Sequence, residues 1–433
     1  MNRRRIVLAV VVSLSLIVIL SGLAEAATSS WSKKNSTGQA QPGVTWAYTR
    51  AAVPSKDTYG GTNPGMTGIY IWDEGSTVGR ILRQSTVGII RFTELFPAQT
   101  MGYPTPREGA CLVWSGSNWE DFGHQNHGQD LILFGGRIAT GQYTNEVNVY
   151  NIVNNTWEYR GFGPLPGRAF AQCGRFSSFN AVSYEWNGMF VFGGMNSVQT
   201  LSDGWIFCDH PSWNPQEFDE LGCARYTHAW RQVSWDASCT AGNRIMRDHA
   251  AFSEVKWSVL PHNIEDTQYI LWGGIRNTQW AARDPTFVYW VGNPNGLLTF
   301  ACTGFSESNP VSQRHGSGVG FVSTWGGTQY NMILYGGYRI EGEDTQDVVH
   351  ILFNLYSGIA SYGVVAQTGT KPTARQYSAF ACRDWGPDAS GYGLGCIYTT
   401  GQPYGTETYL MHAGTNVGGT KFSDTWTYWV SSP

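Results

Sequence analysis

The sequence predicts an all-β protein made of repeated sheets, and three observations support this prediction. Aromatic residues make up 14% of the 433 residues and glycines number 53, a composition typical of many strands joined by tight turns. Charged residues make up only 14%, against the roughly 25% usual for soluble domains, so a large apolar core is available. The third observation is a short apolar segment, closed by two glycines, that returns along the chain.

This apolar run occurs four times with two glycines, and a looser fifth copy has Ala413 in place of the first glycine. The copies are LILFGG (131–136), MFVFGG (189–194), YILWGG (269–274), MILYGG (332–337) and YLMHAG (409–414). Short apolar runs bounded by glycine are typical of strands buried on both faces, and paired glycines permit a sharp turn with positive φ. The repetition predicts one supersecondary unit for each copy.

Each copy lies between two other recurring segments. An arginine followed by small or aromatic residues precedes it, in REGAC (107–111), RAFAQ (168–172), RDHAAF (247–252), RHGSGVG (314–320) and RQYSAF (375–380). An alternating run follows it, in VNVYN (147–151), GWIFCD (204–209), FVYWV (287–291), VHILFN (349–354) and TWTYWV (425–430). Alternation indicates a partly buried outer strand. Four-stranded units repeated about one axis would form a β-propeller.

The order of these segments resembles the kelch repeat over residues 104–430, in five units. The unit at 130–159 matches closely and the one at 409–429 loosely. The resemblance implies a kelch-type propeller, and the two ends of the chain predict its number of blades. VTWAYTR (44–50) resembles NTWEYRG (156–162), the last strand of a unit, whereas the chain ends after only three strands of a blade.

We therefore expect Trp46 and its neighbours to close the last blade as an N-terminal strand. Residues 54–103 would form a divergent blade, which gives six blades; seven fits the sequence less well. The segments 114–129, 214–246 and 383–406 are rich in glycine and polar residues and are predicted to be surface insertions.

The first 26 residues are predicted to be a signal peptide, because three arginines precede an apolar stretch and Ala24-Glu25-Ala26 forms a cleavage signal. A retained membrane anchor is the alternative, since the apolar stretch approaches the length of a span. Residues 27–43 are predicted to be a polar leader and 44–433 the propeller. The mature chain is expected to be secreted or to enter the secretory lumen, with no membrane contact after cleavage.

Eight cysteines agree with an oxidising compartment. Cys208 and Cys223 flank one segment and Cys382 and Cys396 another, so these four are candidates for disulfides, with the pairing left open. The sequons at Asn35 and Asn154 are candidate glycosylation sites. No cysteine–histidine spacing of a zinc site is present, and neither a metal nor a cofactor is expected.

The arginines that open the five units are the main candidate ligand-binding residues, at one mouth of the central channel. They are Arg107, Arg168, Arg247, Arg314 and Arg375. In kelch domains of ubiquitin-ligase adaptors, which this chain resembles, such arginines bind acidic peptides, because guanidinium groups form forked hydrogen bonds to carboxylates. The alternative is structural: each arginine binds backbone carbonyls of its own blade. His249 and His315 are expected to pack near the channel.

Function is predicted less sharply than fold. Trp114, Trp119 and Trp385 lie in predicted loops and could contact a ligand, or could cap the blades. The favoured interpretation is a module that binds a protein or a glycan, and a net charge of −4 argues against nucleic acid. The alternatives are a sugar-active enzyme that uses the channel, and a structural component of an extracellular coat. Secreted kelch propellers include copper radical oxidases, but the tandem Tyr-His that those need is absent from the sequence. An enzyme is therefore disfavoured, and the oligomeric state is left open.

Overall fold

The structure is a computed structural model. It describes residues 29–34, 49–52, 68–73, 80–85, 92–95, 103–114, 130–152, 154–180, 184–208, 229–241, 244–256, 267–277, 279–280, 285–292, 298–308, 310–323, 329–354, 357–382, 396–397 and 407–430.

These residues form strands and one short helix, α1 (Ala237–Thr240). The strands of the first half are β1 (Ser29–Lys34), β2 (Thr49–Ala52), β3 (Gly68–Asp73), β4 (Arg80–Ser85), β5 (Phe92–Leu95), β6 (Arg107–Glu108), β7 (Cys111–Trp114), β8 (Asp130–Phe134), β9 (Arg137–Ile138), β10 (Glu146–Asn151), β11 (Thr156–Phe162), β12 (Gln172–Asn180), β13 (Tyr184–Phe192), β14 (Gly204–Cys208), β15 (Ala229–Gln232) and β16 (Ser234–Trp235). Those of the second half are β17 (Ala251–Lys256), β18 (Thr267–Trp272), β19 (Ile275–Arg276), β20 (Gln279–Trp280), β21 (Thr286–Gly292), β22 (Thr299–Gly304), β23 (Ser306–Ser308), β24 (Arg314–His315), β25 (Gly318–Ser323), β26 (Gln329–Tyr335), β27 (Tyr338–Arg339), β28 (Val348–Asn354), β29 (Ile359–Val364), β30 (Gln367–Thr368), β31 (Ala379–Cys382), β32 (Cys396–Ile397), β33 (Glu407–His412) and β34 (Thr425–Val430).

The chain is an all-β protein with a β-propeller fold, as predicted. Five antiparallel blades carry the repeat, and in each the double-glycine strand is second from the inside. From the innermost strand outwards these blades are β7-β8-β10-β11, β12-β13-β14-β15, β17-β18-β21-β22, β25-β26-β28-β29 and β31-β33-β34-β1. A further sheet, β2-β3-β4-β5, comes from the region before the first repeat.

The innermost strands lie side by side around the axis. Strand β7 contacts β12, β12 contacts β17, β17 contacts β25, and β25 contacts β31. Strand β2 contacts both β31 and β7. Because each blade has one apolar face towards each neighbour, the core lies between blades. Phe190 of one blade, for example, stacks on Phe300 and Tyr269 of the next, with ring centroids 4.6 and 4.9 Å apart.

The strand expected to close the last blade was wrongly predicted. Strand β34 pairs with β1, which lies inside the segment predicted to be a polar leader, from Ser29 opposite Val430 to Lys34 opposite Thr425. Trp46 lies outside the described residues, and the end of VTWAYTR enters β2, which pairs with β3 in a different sheet. Five of the six residues of β1 are serine or lysine, and the fourth strand of a blade can be polar because it lies far from the axis. Its polarity is the reason that β1 was not predicted as a strand.

Two other predictions on organisation need correction. The predicted insertion 214–246 contains β15, the fourth strand of its blade, as well as β16 and α1. Trp114 is the last residue of strand β7 and pairs with Leu131, so it does not lie in a loop. Trp119 and Trp385 lie outside the described residues. Among the described helices, none is long and apolar enough to cross a membrane.

Two disulfides join described residues, and neither involves the four cysteines proposed from spacing. Cys111 bonds Cys173 and thereby joins the first strands of two neighbouring blades. Cys239 of α1 bonds Cys302 of β22. Among the candidates, Cys208 is disulfide-bonded and Cys223 lies outside the described residues. Cys382 and Cys396 lie in β31 and β32. These bonds are consistent with an extracellular or secretory location.

The close approach of neighbouring blades explains the double glycine. The second glycine of a pair donates its N–H to the backbone carbonyl of the next unit's arginine, at 2.8 Å for Gly194 and Arg247. Gly193 has a φ of 62°, and a Cβ added to it would lie 2.5 Å from the same carbonyl oxygen. A larger residue would therefore strain the backbone and push the two blades apart.

Candidate functional site

The arginine segment that begins each repeat lies beside the double glycine, at one edge of the blade. We call this edge, taken over all five blades, the axial face. In a four-stranded antiparallel blade, the loop between the second and third strands lies at the same edge as the start of the first strand. Backbone bridges join the two, as between Ala169 and Met195 and between Asp248 and Ile275. The axial face therefore gathers the arginine segments of all five blades.

All five arginines are buried, and each donates from Nη1 to a carbonyl that ends the second strand of its own blade. The acceptors are Gly135 for Arg107 (3.4 Å), Gly193 for Arg168 (3.3 Å), Gly273 for Arg247 (3.2 Å), Gly336 for Arg314 (3.3 Å) and Ala413 for Arg375 (3.1 Å). This is the structural role that the sequence left open. The geometry favours it over ligand binding for these side chains.

Among the described residues, Arg107, Arg168 and Arg375 also bind a carboxylate from the start of the third strand. Arg168 makes a forked pair with Asp203, at 2.8 and 2.7 Å, and Arg375 binds both oxygens of Asp424. Arg107 binds Glu146 at 2.5 Å. Although burial alone raises it, the hydrogen bonds from Arg168 hold the pKa of Asp203 below its ordinary value. Each pair thus links the segment before the first strand of a blade to the start of the third strand of the same blade.

Arg314 differs from these three arginines in its partner. Asp347 occupies the position equivalent to Asp203 and Asp424 but binds Arg339 instead. Among the described residues, the hydrogen bonds of Arg314 go to the carbonyls of Ser312 and Gly336. Burial, with a contribution from the positive charge of Arg339, lowers the pKa of Arg314 to about 10.

The third residue of each Arg-x-x segment hydrogen-bonds to a neighbouring blade and has a positive φ. These residues are Gly109 (65°), Phe170 (56°), His249 (52°), Gly316 (66°) and Tyr377 (60°). Each backbone N–H from Phe170 onwards donates to the carbonyl of the preceding member. The four distances are 2.7, 3.2, 3.0 and 2.6 Å. A chain of backbone hydrogen bonds thus runs from blade to blade at the axial face.

Aromatic side chains fill the space that the two glycines leave. A Cβ on Gly109 would lie 2.7 Å from the ring of Phe170, and one on Gly316 would lie 2.7 Å from the ring of Tyr377. The ring of His249 stacks on Phe170, with centroids 3.9 Å apart. The left-handed conformation costs a non-glycine residue on the order of 1–2 kcal/mol. Three blades nevertheless place a ring there.

These rings meet two further polar residues, and we call Phe170, Asp248, His249, His315 and Tyr377 the axial cluster. Nδ1 of His249 binds Oδ1 of Asp248, while Oδ2 of Asp248 accepts a hydrogen bond from Thr200 Oγ1 at 2.6 Å. The hydroxyl of Tyr377 lies 3.2 Å from Nδ1 of His315. The rings of His249 and His315 are 5.6 Å apart.

The axial cluster holds two hydrogen-bonded acid–base pairs in a largely desolvated setting. Burial, with a contribution from the nearby His249, lowers the pKa of His315 to about 3, against the opposing effect of Asp248. His315 is therefore neutral at pH 7, and its Nδ1 can accept a hydrogen bond from the hydroxyl of Tyr377. Asp248, held by Thr200, orients the imidazole of His249. His249 and His315 were expected near the channel. Phe170 and Tyr377 were not predicted to have a role, and the signal that they share is their position two residues after an arginine.

The remaining candidates are distributed elsewhere. Asn154 lies at an exposed turn between β10 and β11, and Asn35 lies outside the described residues. Among the described residues, no group of three or more potential ligands could hold a metal ion.

The chain was compared with known proteins. No family model matches it, and no curated protein matches it significantly. Among solved structures, it is similar to that reported as "Structure of YjhT", with 13% identity and a TM-score of 0.50 over 89% of this chain and 96% of that one. It is also similar to the cryo-EM structure of RAG in complex with one melted and one unmelted RSS. There the identity is 10% and the TM-score 0.51, over 93% of this chain and 99% of that one. At these identities the likeness shows the fold alone, a β-propeller.

Proposed function

We propose that this chain is a secreted kelch-type propeller of six blades that acts as a binding module. The sheet of β2 to β5, added to the five repeat-bearing blades, supports the count of six. The contacts of β2 with both β31 and β7 support a closed ring, and the pairing of β1 with β34 supports closure by an N-terminal strand. The disulfides favour an oxidising compartment.

The binding surface in this proposal is the axial face, and the observation that carries it is the distribution of exposed apolar side chains. Loops between second and third strands present Val198, Val417 and Ile340, which are 84%, 62% and 45% exposed. Phe162 and Leu165, at the end of a fourth strand and just beyond it, are 67% and 79% exposed. Apolar groups that converge on one face of a soluble protein favour a protein partner.

A paired comparison of variants tests the surface. Ile340→Asp, on the axial face, and Val291→Asp, near the opposite end of a third strand, change side chains of similar exposure, 45% and 47%. Partners cross-linked to the secreted full chain would be identified by mass spectrometry and their affinity measured with each variant. We expect Ile340→Asp and Val198→Asp to weaken binding at least tenfold and Val291→Asp to leave it unchanged. If Val291→Asp weakened binding as much as Ile340→Asp, or if the chain bound only to a glycan array, the axial face would not be a protein-binding surface. If the cross-linked partner were a second copy of this chain, the result would indicate a coat built by self-assembly.

A sugar-active enzyme is the second candidate, favoured by the two acid–base pairs of the axial cluster. In this alternative His249 would take a proton from a substrate and Tyr377 would give one, because an imidazole oriented by a carboxylate can act as a general base and a phenol as a general acid. Turnover of a panel of sugars, followed by NMR, should then be lost in His249→Gln while the unfolding midpoint changes little. No turnover by the wild-type chain across the panel would eliminate this alternative.

A further inference from the structure

The sequon Asn154-Asn155-Thr156 occupies the turn that joins β10 to β11. Asn154 is exposed, and its hydrogen bond is made by the backbone N–H, which donates to Oδ1 of Asn151 at 2.8 Å. Asn155, with a φ of 52°, accepts a hydrogen bond from the hydroxyl of Tyr150 at 2.6 Å through its side chain. The side chains of Asn151 and Asn155 thus stabilise the turn, whereas the side chain of Asn154 makes no hydrogen bond to the described residues.

A second turn of the same type shows that the turn does not need asparagine at this position. Between β28 and β29, Ser357 donates its N–H to Oδ1 of Asn354 at 3.1 Å, and Gly358 has a φ of 64°. Asn354, Ser357 and Gly358 correspond to Asn151, Asn154 and Asn155. Since the turn forms with serine at the position of Asn154, the asparagine is free to carry a modification.

The turn also lies away from the proposed binding surface. It joins a third strand to a fourth, and in an antiparallel blade this turn is at the edge opposite the loop between the second and third strands. A bulky group on Asn154 would therefore project from the face opposite the axial face and leave the axial face accessible.

We infer that Asn154 is an acceptor for N-linked glycan, a site independent of the proposed binding function. The donor would be a lipid-linked oligosaccharide pyrophosphate. The side-chain amide nitrogen of Asn154 bonds to the anomeric carbon of the first sugar, the bond from that carbon to the pyrophosphate oxygen breaks, and the amide loses one proton. The disulfides, which require an oxidising compartment, support passage through the compartment where this transfer occurs.

The test is expression of the full chain, with its own first 26 residues, in eukaryotic secretory cells, followed by glycopeptide mass spectrometry. We expect the peptide containing Asn154 to carry sugar in most molecules, and Asn154→Gln and Thr156→Ala each to abolish it. The double substitution Ser357→Asn and Ile359→Thr grafts the sequon onto the matching turn and should add a second glycan. Removal of the glycan by peptide N-glycosidase should leave the unfolding midpoint and partner affinity within error.

Two outcomes would overturn the inference. One is a secreted, folded chain whose Asn154 is unmodified, whether or not the grafted turn is glycosylated. The other is persistence of the same glycopeptide in Thr156→Ala, which would show attachment independent of the sequon. The peptide containing Asn35 is separated in the same digest, so sugar there cannot be mistaken for sugar on Asn154.

Discussion

The first and third residues of each Arg-x-x segment are two positions apart but behave in opposite ways. The first is always a buried arginine, and it always donates to the carbonyl at the end of the second strand of its own blade. The third always has a positive φ, which favours glycine, yet only two of the five blades have glycine there. The arginine thus serves the repeat, whereas the rings of Phe170, His249 and Tyr377 occur in only three of the five blades.

This contrast separates the residues that hold the blades from those suited to a ligand. A side chain that repeats with one set of contacts in every blade is explained by the blade. A side chain that occupies a strained position in only some blades is not explained by the repeat, and strained positions cluster at functional sites. The axial cluster and the loops around it are therefore better candidates for ligand contacts than the arginines.

The largest effect should come from removing a carboxylate-bound arginine. Arg168→Ala leaves Asp203 partly buried and without a positively charged partner, and we expect it to lower the free energy of unfolding by roughly 3–5 kcal/mol. Arg314→Ala is the matched control, because Arg314 donates to carbonyls and leaves no carboxylate without its partner. Its loss should be about 1–3 kcal/mol. Denaturant unfolding at pH 7 measures both.

Equal losses in the two variants would show that the carbonyl bond, shared by all five arginines, supplies the stability, and that the carboxylates add nothing. If Arg168→Ala were as stable as the wild type but no longer bound the partner protein, Arg168 would be a ligand-binding residue and not a structural one.

The sequence predicted the propeller because buried strands, glycine pairs and arginines recur with clear patterns. It did not predict β1, since a strand at the outer edge of a blade needs no apolar residues. It also did not predict the bonds Cys111–Cys173 and Cys239–Cys302, which bring together cysteines more than 60 residues apart in sequence. The axial cluster was only partly predictable. The approach of Tyr377 to His315 depends on how far neighbouring blades are rotated, which no local pattern records.

The second effect is on the dependence of stability on pH. With its pKa lowered to about 3, His315 stays neutral in the folded protein, while in the unfolded chain it gains a proton as pH falls below about 6.5. The unfolded state then binds more protons, so stability falls with pH between these two values. From pH 7 to pH 5 the contribution of His315 to this loss should be on the order of 2 kcal/mol.

His315→Gln should remove that contribution while retaining a side chain able to bond Tyr377. The unfolding free energies of wild type and variant, measured at pH 7, 6 and 5, should therefore differ in slope. His350 and His412, whose pKa values burial lowers to about 4, contribute equally to both proteins and cancel in the difference. Parallel curves would mean that His315 titrates normally and that the axial cluster is open to water.

The smallest effect tests the backbone strain that distinguishes the third position from the first. Tyr377→Gly and Tyr377→Ala both delete the ring, but at a φ of 60° alanine retains the clash of a Cβ and glycine does not. The glycine variant should therefore be the more stable by about 1 kcal/mol, against the usual order of these residues. Ala171→Gly is the control. Ala171 directly follows Phe170 and has no positive φ, so the usual order of alanine over glycine should hold and this variant should lose stability. If Tyr377→Ala were at least as stable as Tyr377→Gly, a residue other than glycine would carry no conformational cost at this position. The presence of rings in place of glycine would then no longer indicate a function.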